Sequence, residues 1–242
     1  MAKTLDTAIL LAGGEGTRLR PLTYEVPKPL VKVNGKPLLQ YAIDELERNG
    51  IRHMMVSAGY MADKIVDYIK SLGSNNRKPK IDYVVESKPL GTGGAIKFAL
   101  GALGDIDDFA VVNADTIFDV DLQAMHRMHV LKRAVATIGV INFDNVAGFG
   151  VVNTEGSTIK SFVEKPDPSK CDSHTINAGI YVLNKRVKEL FPKSDSFSIE
   201  RDFFSPNVGN VVMLSYPIKK FITVNTLEQL NAAEKILNEE RH

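Results

Sequence analysis

The sequence has little of what marks disulfide-bonded, membrane-spanning or nucleic-acid-binding chains. Cys171 is the single cysteine in 242 residues, and one thiol cannot close a disulfide within the chain. Lys and Arg number 30 against 29 Asp and Glu, so the formal charge is +1, without the basic surplus usual in dedicated nucleic-acid binders. Any anion-binding site must therefore depend on a local group of basic residues and not on the net charge of the chain.

Long apolar runs are also absent. No stretch approaches the length that crosses a bilayer, and the first residues, MAKTLDT, are polar, unlike a secretory signal. A lone cysteine further suggests a reducing compartment. We therefore expect a cytoplasmic protein with neither a membrane nor a nucleic acid as its partner.

The first half alternates short apolar runs with amphipathic segments. This alternation predicts a parallel sheet covered by helices on both faces. Ligands of such sheets gather beyond the carboxyl ends of the strands, where both the loop after Ala12 and Asp115 fall. Strands are predicted at 7–12, 53–59, 81–86 and 109–115, and helices at 37–50, 61–73 and 91–103.

The second half has a different pattern, with strands at short spacing and a turn at Glu155-Gly156. We expect a mixed or antiparallel sheet that extends the first one, closed by an amphipathic helix. The predicted strands are 133–141, 149–154, 158–166 and 177–184, and the predicted helix is 226–240.

The loop LLAGGEGTRLRPLT, residues 10–23, is the first candidate for binding phosphate. It has neither the spacing nor the lysine of a P-loop, and Gly16 lacks the glycine three positions later that a dinucleotide fingerprint needs. The third interpretation is a nucleotide-binding loop, in which backbone N–H groups approach the nucleotide and an arginine binds its phosphates. An ordinary strand-to-helix turn with solvated arginines is the alternative.

Five ordered motifs extend this signal over nearly the whole chain. They are LLAGGEGTRLRPLT, PKPLVKVNGKP (27–37), PLGTGGA (89–95), NAD (113–115) and FVEKP (162–166). In this order they resemble the sugar-1-phosphate nucleotidylyltransferases, also called nucleotide-sugar pyrophosphorylases. PLGTGGAIK is most similar to the D-glycero-D-manno-heptose 1-phosphate guanylyltransferase branch, with mannose-1-phosphate guanylyltransferases and muramate-type uridylyltransferases as neighbours.

The resemblance implies a fold and assigns the two substrates to different halves of the chain. The fold is α/β, a Rossmann-like three-layer α/β/α nucleotide-diphospho-sugar transferase fold with a mostly parallel mixed sheet and a smaller antiparallel extension. One domain would span 1–242, with nucleotide binding mainly in 1–120 and sugar binding mainly in 121–242. A homo-oligomer is left open.

The implied reaction joins a nucleoside triphosphate (NTP) to a sugar 1-phosphate, with release of pyrophosphate, by in-line displacement at the α-phosphorus. A phosphate monoester loses its second proton with a pKa of about 6, so the nucleophile is already charged and needs no general base. Catalysis then consists of positioning and charge neutralisation. This requires cations and a metal rather than a catalytic triad.

The matched motifs supply those cations. By resemblance, Arg18 contacts the β and γ phosphates, Lys28 lies near the reacting phosphates, and Lys165 holds the sugar phosphate. Asp115, at the end of an apolar strand, is the implied Mg²⁺ ligand. Taken alone, the two lysines would be interpreted as solvated surface charges and the aspartate as a cap or turn residue.

At the position of a second metal ligand the chain departs from the family pattern. The family usually has an aspartate near the C-terminus in a stretch like FIDIGTPEDL, whereas this chain reads FITVNTLEQL, with Thr223 at that position. By resemblance to relatives that use an asparagine there, Asn225 is the substitute candidate. Alternatively, Thr223 marks a loss of activity.

Glu86 bears on the choice of base, because it lies five residues before Gly91, where thymidylyl and uridylyl relatives often carry glutamine. A carboxylate offers only acceptors and guanine presents two adjacent donors, so Glu86 favours GTP, with UTP, dTTP or CTP as alternatives. A strand-end surface charge is the other interpretation. The remaining implied nucleotide contacts are Leu11, Ala12, Gly13, Gly14, Gly16, Thr17, Gly91 and Thr92.

For the sugar, the resemblance points to Gly150, Glu164 and Asn177, whose backbone N–H, carboxylate and amide groups can orient hydroxyls. A heptose or mannose 1-phosphate is the expected acceptor. The stretch SFSIERDFF (196–204) also resembles a family segment, but no chemical step is assigned to it.

Two rival functions stay open. Asp119 and Asp121 match the DxD of metal-dependent glycosyltransferases, and Thr223 permits a nucleotide-binding module with little turnover.

His126 and His129 have helical metal-ligand spacing, but no third ligand is evident, which favours a structural pair.

Overall fold

The computed structural model of the protein describes residues 4–73 and 79–240. Within these ranges the strands are β1 Thr7–Ala12, β2 Lys32–Val33, β3 Lys36–Pro37, β4 His53–Ala58, β5 Lys80–Val85, β6 Asp108–Asn113, β7 Thr116–Asp119, β8 Ala136–Asn142, β9 Gly150–Glu155, β10 Thr158–Glu164, β11 Thr175–Asn184, β12 Met213–Pro217 and β13 Lys220–Thr223. The helices are α1 Leu38–Arg48, α2 Ala62–Ser71, α3 Gly91–Leu103, α4 Leu122–Leu131, α5 Val187–Leu190, α6 Ser205–Asn207 and α7 Leu227–Glu239, with a π-helical turn at Glu200–Phe204.

Nine of the described strands form one mixed sheet in the order β5-β4-β1-β6-β11-β8-β12-β10-β9. Strand β1 pairs in parallel with β4 and β6, and β4 pairs in parallel with β5. Strand β11 runs antiparallel to β6 and β8, and β10 runs antiparallel to β12 and β9. The parallel sheet predicted for the first half and its mixed extension are confirmed.

The apolar run of β1 is buried on both faces, as a central parallel strand requires. Ala8 and Leu10 pack into the cluster that contains the buried faces of α1, α2 and α4. Ile9 points to the opposite face and packs with residues of α3. Alternation along the strand therefore produces a helix–sheet–helix sandwich, with each fully buried aliphatic side chain contributing about 1.5–3 kcal/mol.

Helix α1 illustrates how local patterning sets an element. Leu39, Ile43 and Leu46 recur at helical spacing and are buried, and Pro37 precedes the first helical residue. Gly50 takes a positive φ of 79° just after the helix. The prediction of 37–50 was therefore correct in type and about two residues too long at the C-terminal end.

A small second sheet, not predicted from the sequence, positions part of the site. Strands β7 and β13 pair antiparallel, with Thr116 opposite Thr223. Because β7 begins directly after Asp115, this pairing brings the C-terminal stretch Thr223–Asn225 beside the end of β6. Helix α4 and strand β12 were also not predicted. Among the described residues, no helix combines the length and apolar character needed to cross a membrane.

Candidate active site

A cavity of about 510 Å³ opens at the edge of the sheet where β1 and β6 end. Its wall combines residues from both halves of the sequence. Eight of the predicted site residues line it: Arg18, Thr92, Asp115, Gly150, Glu164, Lys165, Asn177 and Asn225. Parallel pairing of β1 and β6 explains the convergence, since the carboxyl ends of parallel strands meet at one edge.

The glycine loop folds tightly against Lys28. Gly16 has a φ of 62°, and a Cβ placed on it would lie 2.8 Å from the Lys28 Cβ. The Thr23 hydroxyl donates to the Gly16 carbonyl over 2.9 Å. Arg18 lies in the following short helical turn, is exposed, and forms no ion pair with any residue in 4–73 or 79–240. Its guanidinium is therefore available to an anion in the cavity.

Lys28 is buried, and its ammonium donates to two of the predicted metal ligands. Its Nζ lies 2.6 Å from Asp115 Oδ2 and 2.7 Å from Asn225 Oδ1. The Lys28 side chain is 9% exposed and that of Asp115 is 30% exposed, so the ammonium is poorly solvated while the carboxylate still reaches the cavity. Three of the predicted residues thus meet at one point, although they are separated by up to 197 positions in sequence.

The oxygens around Lys28 suit a hard cation. A carboxylate and an amide oxygen already share one positive charge between them, and oxygen donors of this kind are those Mg²⁺ takes. Thr223 contributes no carboxylate; its hydroxyl accepts from Asn225 Nδ2 at 2.5 Å and so holds the amide oxygen toward Lys28. The described residues contain no cluster of three or more His, Cys, Asp or Glu able to hold a metal.

Glu86 stands at the other end of the glycine loop. Its Oε1 accepts from the Ser57 hydroxyl at 3.0 Å and its Oε2 from the Leu90 N–H at 3.3 Å. A Cβ on Gly13 would come within 2.9 Å of Glu86 Oε1, so the carboxylate abuts the loop because glycine is there. Two of about four carboxylate acceptor positions are used, which leaves capacity for a ligand.

The remaining predicted nucleotide contacts lie after the end of β1 and at the start of α3. Leu11, Ala12 and Gly14 lie at or just beyond the end of β1, and Thr17 begins the turn that carries Arg18. Gly91 starts α3 with a φ of 70°, and a Cβ there would lie 2.6 Å from the Phe197 carbonyl oxygen, so no other residue fits.

Where β9 and β10 border the cavity, glycine again makes room for a carboxylate. A Cβ on Gly150 would lie 2.9 Å from Glu164 Oε2. Burial, and then the charge of Glu200, raise the pKa of Glu164. Lys165 has a left-handed φ of 48°, and its Nζ lies 3.4 Å from Glu164 Oε1.

Asn177 faces the cavity because β11 bulges there. The register with β8 shifts between Asn177 and Tyr181, and the Gly179 N–H donates to Asn177 Oδ1 over 2.9 Å. Asn177 Nδ2 donates to the Tyr181 hydroxyl at 2.9 Å. The bulge needs glycine at 179, where a Cβ would lie 2.2 Å from Asn113 Nδ2.

Sequence reasoning missed Glu200 and Arg201, which also line the cavity. Both belong to the stretch 196–204, whose likeness to a family segment was the only signal. Glu200 is 9% exposed, although nothing in its local pattern distinguishes a buried glutamate from a solvated one.

The carboxylates of the glycosyltransferase alternative have other roles. Asp119 pairs with Arg48 at 2.8 Å, and Asp121 caps α4 by accepting from the Ala124 N–H at 2.8 Å. Neither lines the cavity. These contacts give the DxD match a structural explanation.

The histidine pair of α4 flanks a half-buried aspartate. His126 Nε2 lies 2.9 Å from Asp108 Oδ2, and His129 Nδ1 lies 2.8 Å from the Thr137 hydroxyl. Burial would raise the pKa of Asp108, but His126, His129 and Asn184 outweigh it and hold the pKa well below its usual range. The structural role predicted for the two histidines agrees with these contacts.

Comparison with known proteins places this geometry in a family. The family model for "Nucleotidyl transferase" matches residues 7–203. D-glycero-alpha-D-manno-heptose 1-phosphate guanylyltransferase of Aneurinibacillus thermoaerophilus is 36% identical over 81% of this chain and 82% of its own length. Mannose-1-phosphate guanyltransferase of Emericella nidulans is 35% identical over 88% of this chain, which spans 59% of that protein.

Solved structures of similar proteins have the same fold. The crystal structure of HddC from Yersinia pseudotuberculosis complexed with GMP-PN superposes with a TM-score of 0.80 at 31% identity, covering 96% of this chain and 100% of that one. The expected nucleotide-diphospho-sugar transferase architecture is confirmed by this likeness. Since the family match spans far more than half of the sequence, the protein belongs to the nucleotidyl transferase family.

Proposed function

We propose that the protein transfers a guanylyl group from GTP to heptose 1-phosphate or mannose 1-phosphate, giving a GDP-sugar and pyrophosphate. One observation carries the proposal: Arg18, Asp115 and Lys165 line a single cavity, and Lys28 binds Asp115 beside it. Relatives named as guanylyltransferases of these two sugars, and a guanine nucleotide bound to a similar structure, support the choice of substrates.

In the proposed reaction an oxygen of the sugar phosphate attacks the α-phosphorus of GTP. The new bond joins that oxygen to phosphorus as the bond to the β-phosphate oxygen breaks, and pyrophosphate leaves. Both reactants are anions, so the chain's task is to hold them together. Arg18 would grip the β and γ phosphates, Lys28 the reacting phosphates, and Lys165 the sugar phosphate.

Asp115 and Asn225 are the residues that would hold Mg²⁺, with most of the remaining ligands supplied by the triphosphate and water. When bound, the ion would neutralise charge on the phosphate oxygens. Asn225 provides a neutral oxygen in place of a carboxylate, which fits a metal that arrives with the nucleotide.

Binding follows the two halves of the chain in this proposal. Residues 1–120 would hold the nucleotide, with the Glu86 carboxylate accepting from the guanine N1–H and 2-amino group. Residues 121–242 would hold the sugar through Gly150, Glu164 and Asn177. A cytoplasmic site of action fits the free thiol of Cys171.

The test is pyrophosphate release from five nucleoside triphosphates, each combined with several sugar 1-phosphates and Mg²⁺. Release is expected with GTP and heptose or mannose 1-phosphate. Nucleotide binding without release from any pair would instead favour a binding module. Turnover of a GDP-sugar without pyrophosphate would favour a glycosyltransferase.

A further inference from the structure

Glu200 is a buried carboxylate with a full set of neutral donors around one oxygen. It opens the π-helical turn Glu200–Phe204, lines the cavity, and is 9% exposed. Its Oε2 accepts from the Thr92 and Ser198 hydroxyls, both at 2.6 Å. These bonds hold the side chain, since a buried carboxylate without hydrogen-bond donors would be costly.

The other oxygen of Glu200 is less engaged. Oε1 accepts from the Tyr181 hydroxyl over 3.3 Å, a long contact, and Tyr181 in turn accepts from Asn177. Within the described residues Glu200 forms no ion pair. A carboxylate has about four acceptor positions, so Oε1 can take another donor from the cavity.

Glu164 gives the same cavity a second carboxylate. Glu164 and Glu200 both line the cavity, and the charge of Glu200 contributes to the raised pKa of Glu164. Gly150 leaves Glu164 Oε2 uncovered on its side, where a Cβ would come within 2.9 Å. Two acceptor-only groups therefore face one space beside Asn177.

Such a wall attracts hydroxyl hydrogens and repels a third anion. Lys165 and Arg201 line the cavity as well and offset part of the negative charge. Lys165 is already beside Glu164, and the proposed function assigns it to the sugar phosphate. Once the sugar phosphate takes up the charge of Lys165, only Arg201 offsets the two carboxylates, so the expected discrimination is graded rather than absolute.

We infer that Glu200, together with Glu164, determines the sugar class, selecting a neutral polyhydroxylated sugar 1-phosphate over one whose sugar carries a carboxylate. Glu200 positions the sugar and does not touch the reacting phosphorus. The inference rests on the proposed function, since it concerns the sugar end of the same site.

The experiment compares a matched pair of acceptors, mannose 1-phosphate and mannuronic acid 1-phosphate, at saturating GTP. The two differ only in the oxidation state of C6. The wild type is expected to show a kcat/KM at least about tenfold higher for mannose 1-phosphate. Glu200→Gln keeps the shape and removes the charge, so this ratio should fall severalfold, mainly through the KM values of the two acceptors. If another hexose 1-phosphate turns over best, it and its uronic acid form the pair.

Asp202→Asn is the matched control, because Asp202 lies on the same turn, is exposed and is not part of the cavity wall. Its ratio should equal the wild-type ratio. A merely structural role for Glu200 would lower both kcat/KM values by the same factor and leave the ratio unchanged, which overturns the inference.

Equal use of both acceptors by the wild type also overturns the inference, even if Glu200→Gln does not fold, and leaves the proposed function intact. Glu164→Gln provides a second variant, expected to lower the same ratio. No turnover of any sugar 1-phosphate would instead mean that the proposed function itself is wrong.

Discussion

The Lys28 ammonium lies 2.6 Å from Asp115 Oδ2, between the two side chains proposed to hold Mg²⁺. The ammonium therefore occupies the space between the oxygens that would hold the metal ion. Metal binding by these two oxygens would require Lys28 to move away, and the phosphates of an incoming nucleotide could then attract the ammonium.

Replacing Lys28 with methionine should therefore tighten metal binding in the absence of nucleotide. The variant leaves the oxygens of Asp115 and Asn225 facing each other without a cation, so we expect Mn²⁺ to bind at least about tenfold more tightly, or about 1.4 kcal/mol. Calorimetry or Mn²⁺ paramagnetic resonance on nucleotide-free protein measures this. Lys165→Met is the control, since Lys165 lies beside Glu164 instead; equal Mn²⁺ affinity in Lys28→Met and the wild type would contradict the prediction.

Arg18→Ala should lower kcat/KM by about 100-fold, or about 2.7 kcal/mol, because a phosphate-gripping guanidinium would be lost. Folding should be intact, since Arg18 is exposed. Arg20→Ala is the matched control: Arg20 is also exposed, pairs with Glu15 at 3.4 Å and does not line the cavity. A near-normal rate for Arg18→Ala, with its melting temperature unchanged, would remove Arg18 from the mechanism.

Glu86→Gln should shift nucleotide preference from GTP toward UTP or dTTP. The amide keeps one acceptor but presents an NH₂ group to guanine donors, whereas uracil and thymine offer the carbonyl acceptors that an amide can use. The ratios of kcat/KM for the three nucleotides, at one fixed sugar 1-phosphate, measure the shift. Unchanged ratios would mean that Glu86 is only a strand-end anchor for Ser57 and Leu90.

Asp108→Asn should destabilise the protein without touching the active site, because Asp108 lies at the opposite end of β6. We expect a loss of about 2 kcal/mol in the free energy of unfolding at pH 7, from weakened charge-assisted bonds to buried groups. The lowered pKa sets the pH window: a depressed carboxyl pKa contributes stability above the unfolded value of about 3.9 and loses it as pH falls through the folded value.

The difference between Asp108→Asn and the wild type should thus persist at pH 5 and shrink below about pH 4. Urea unfolding at several pH values measures it. Asp105→Asn is the control, since Asp105 pairs with Lys185 at the surface and should change stability by less than about 1 kcal/mol. A difference that did not shrink in acid would show that the Asp108 charge is not its source.

Local sequence patterns were sufficient for elements that consist of a continuous apolar run. Strand β1 and helix α3 have the predicted bounds, Thr7–Ala12 and Gly91–Leu103. Both are apolar runs; glycines follow β1, and glycines stand at both ends of α3. Helix α4 was missed since His126 and His129 look polar in sequence, and only their contacts with Asp108 and Thr137 make them core residues.

Some residues of the site could likewise be predicted from local sequence, and others could not. Ordered motifs pointed to Arg18, Lys28, Asp115 and Lys165, because the residues proposed to bind phosphate or metal stand in short stretches with recognisable composition. Glu200 was out of reach of such reading: its role depends on hydroxyls at Thr92 and Tyr181, which come from other elements.

Apolar periodicity and ordered motifs in the chain thus indicated a layered α/β protein of the nucleotidyl transferase family and predicted a phosphate-binding site at one edge of its sheet. Tertiary structure alone decided that Asn225 meets Lys28 and Asp115, through the pairing of β7 with β13, and that Glu200 joins Glu164 in one wall. The physical reason is that periodicity reports on neighbours within one element, whereas the energy of a buried charge depends on partners that the folded chain brings from far away.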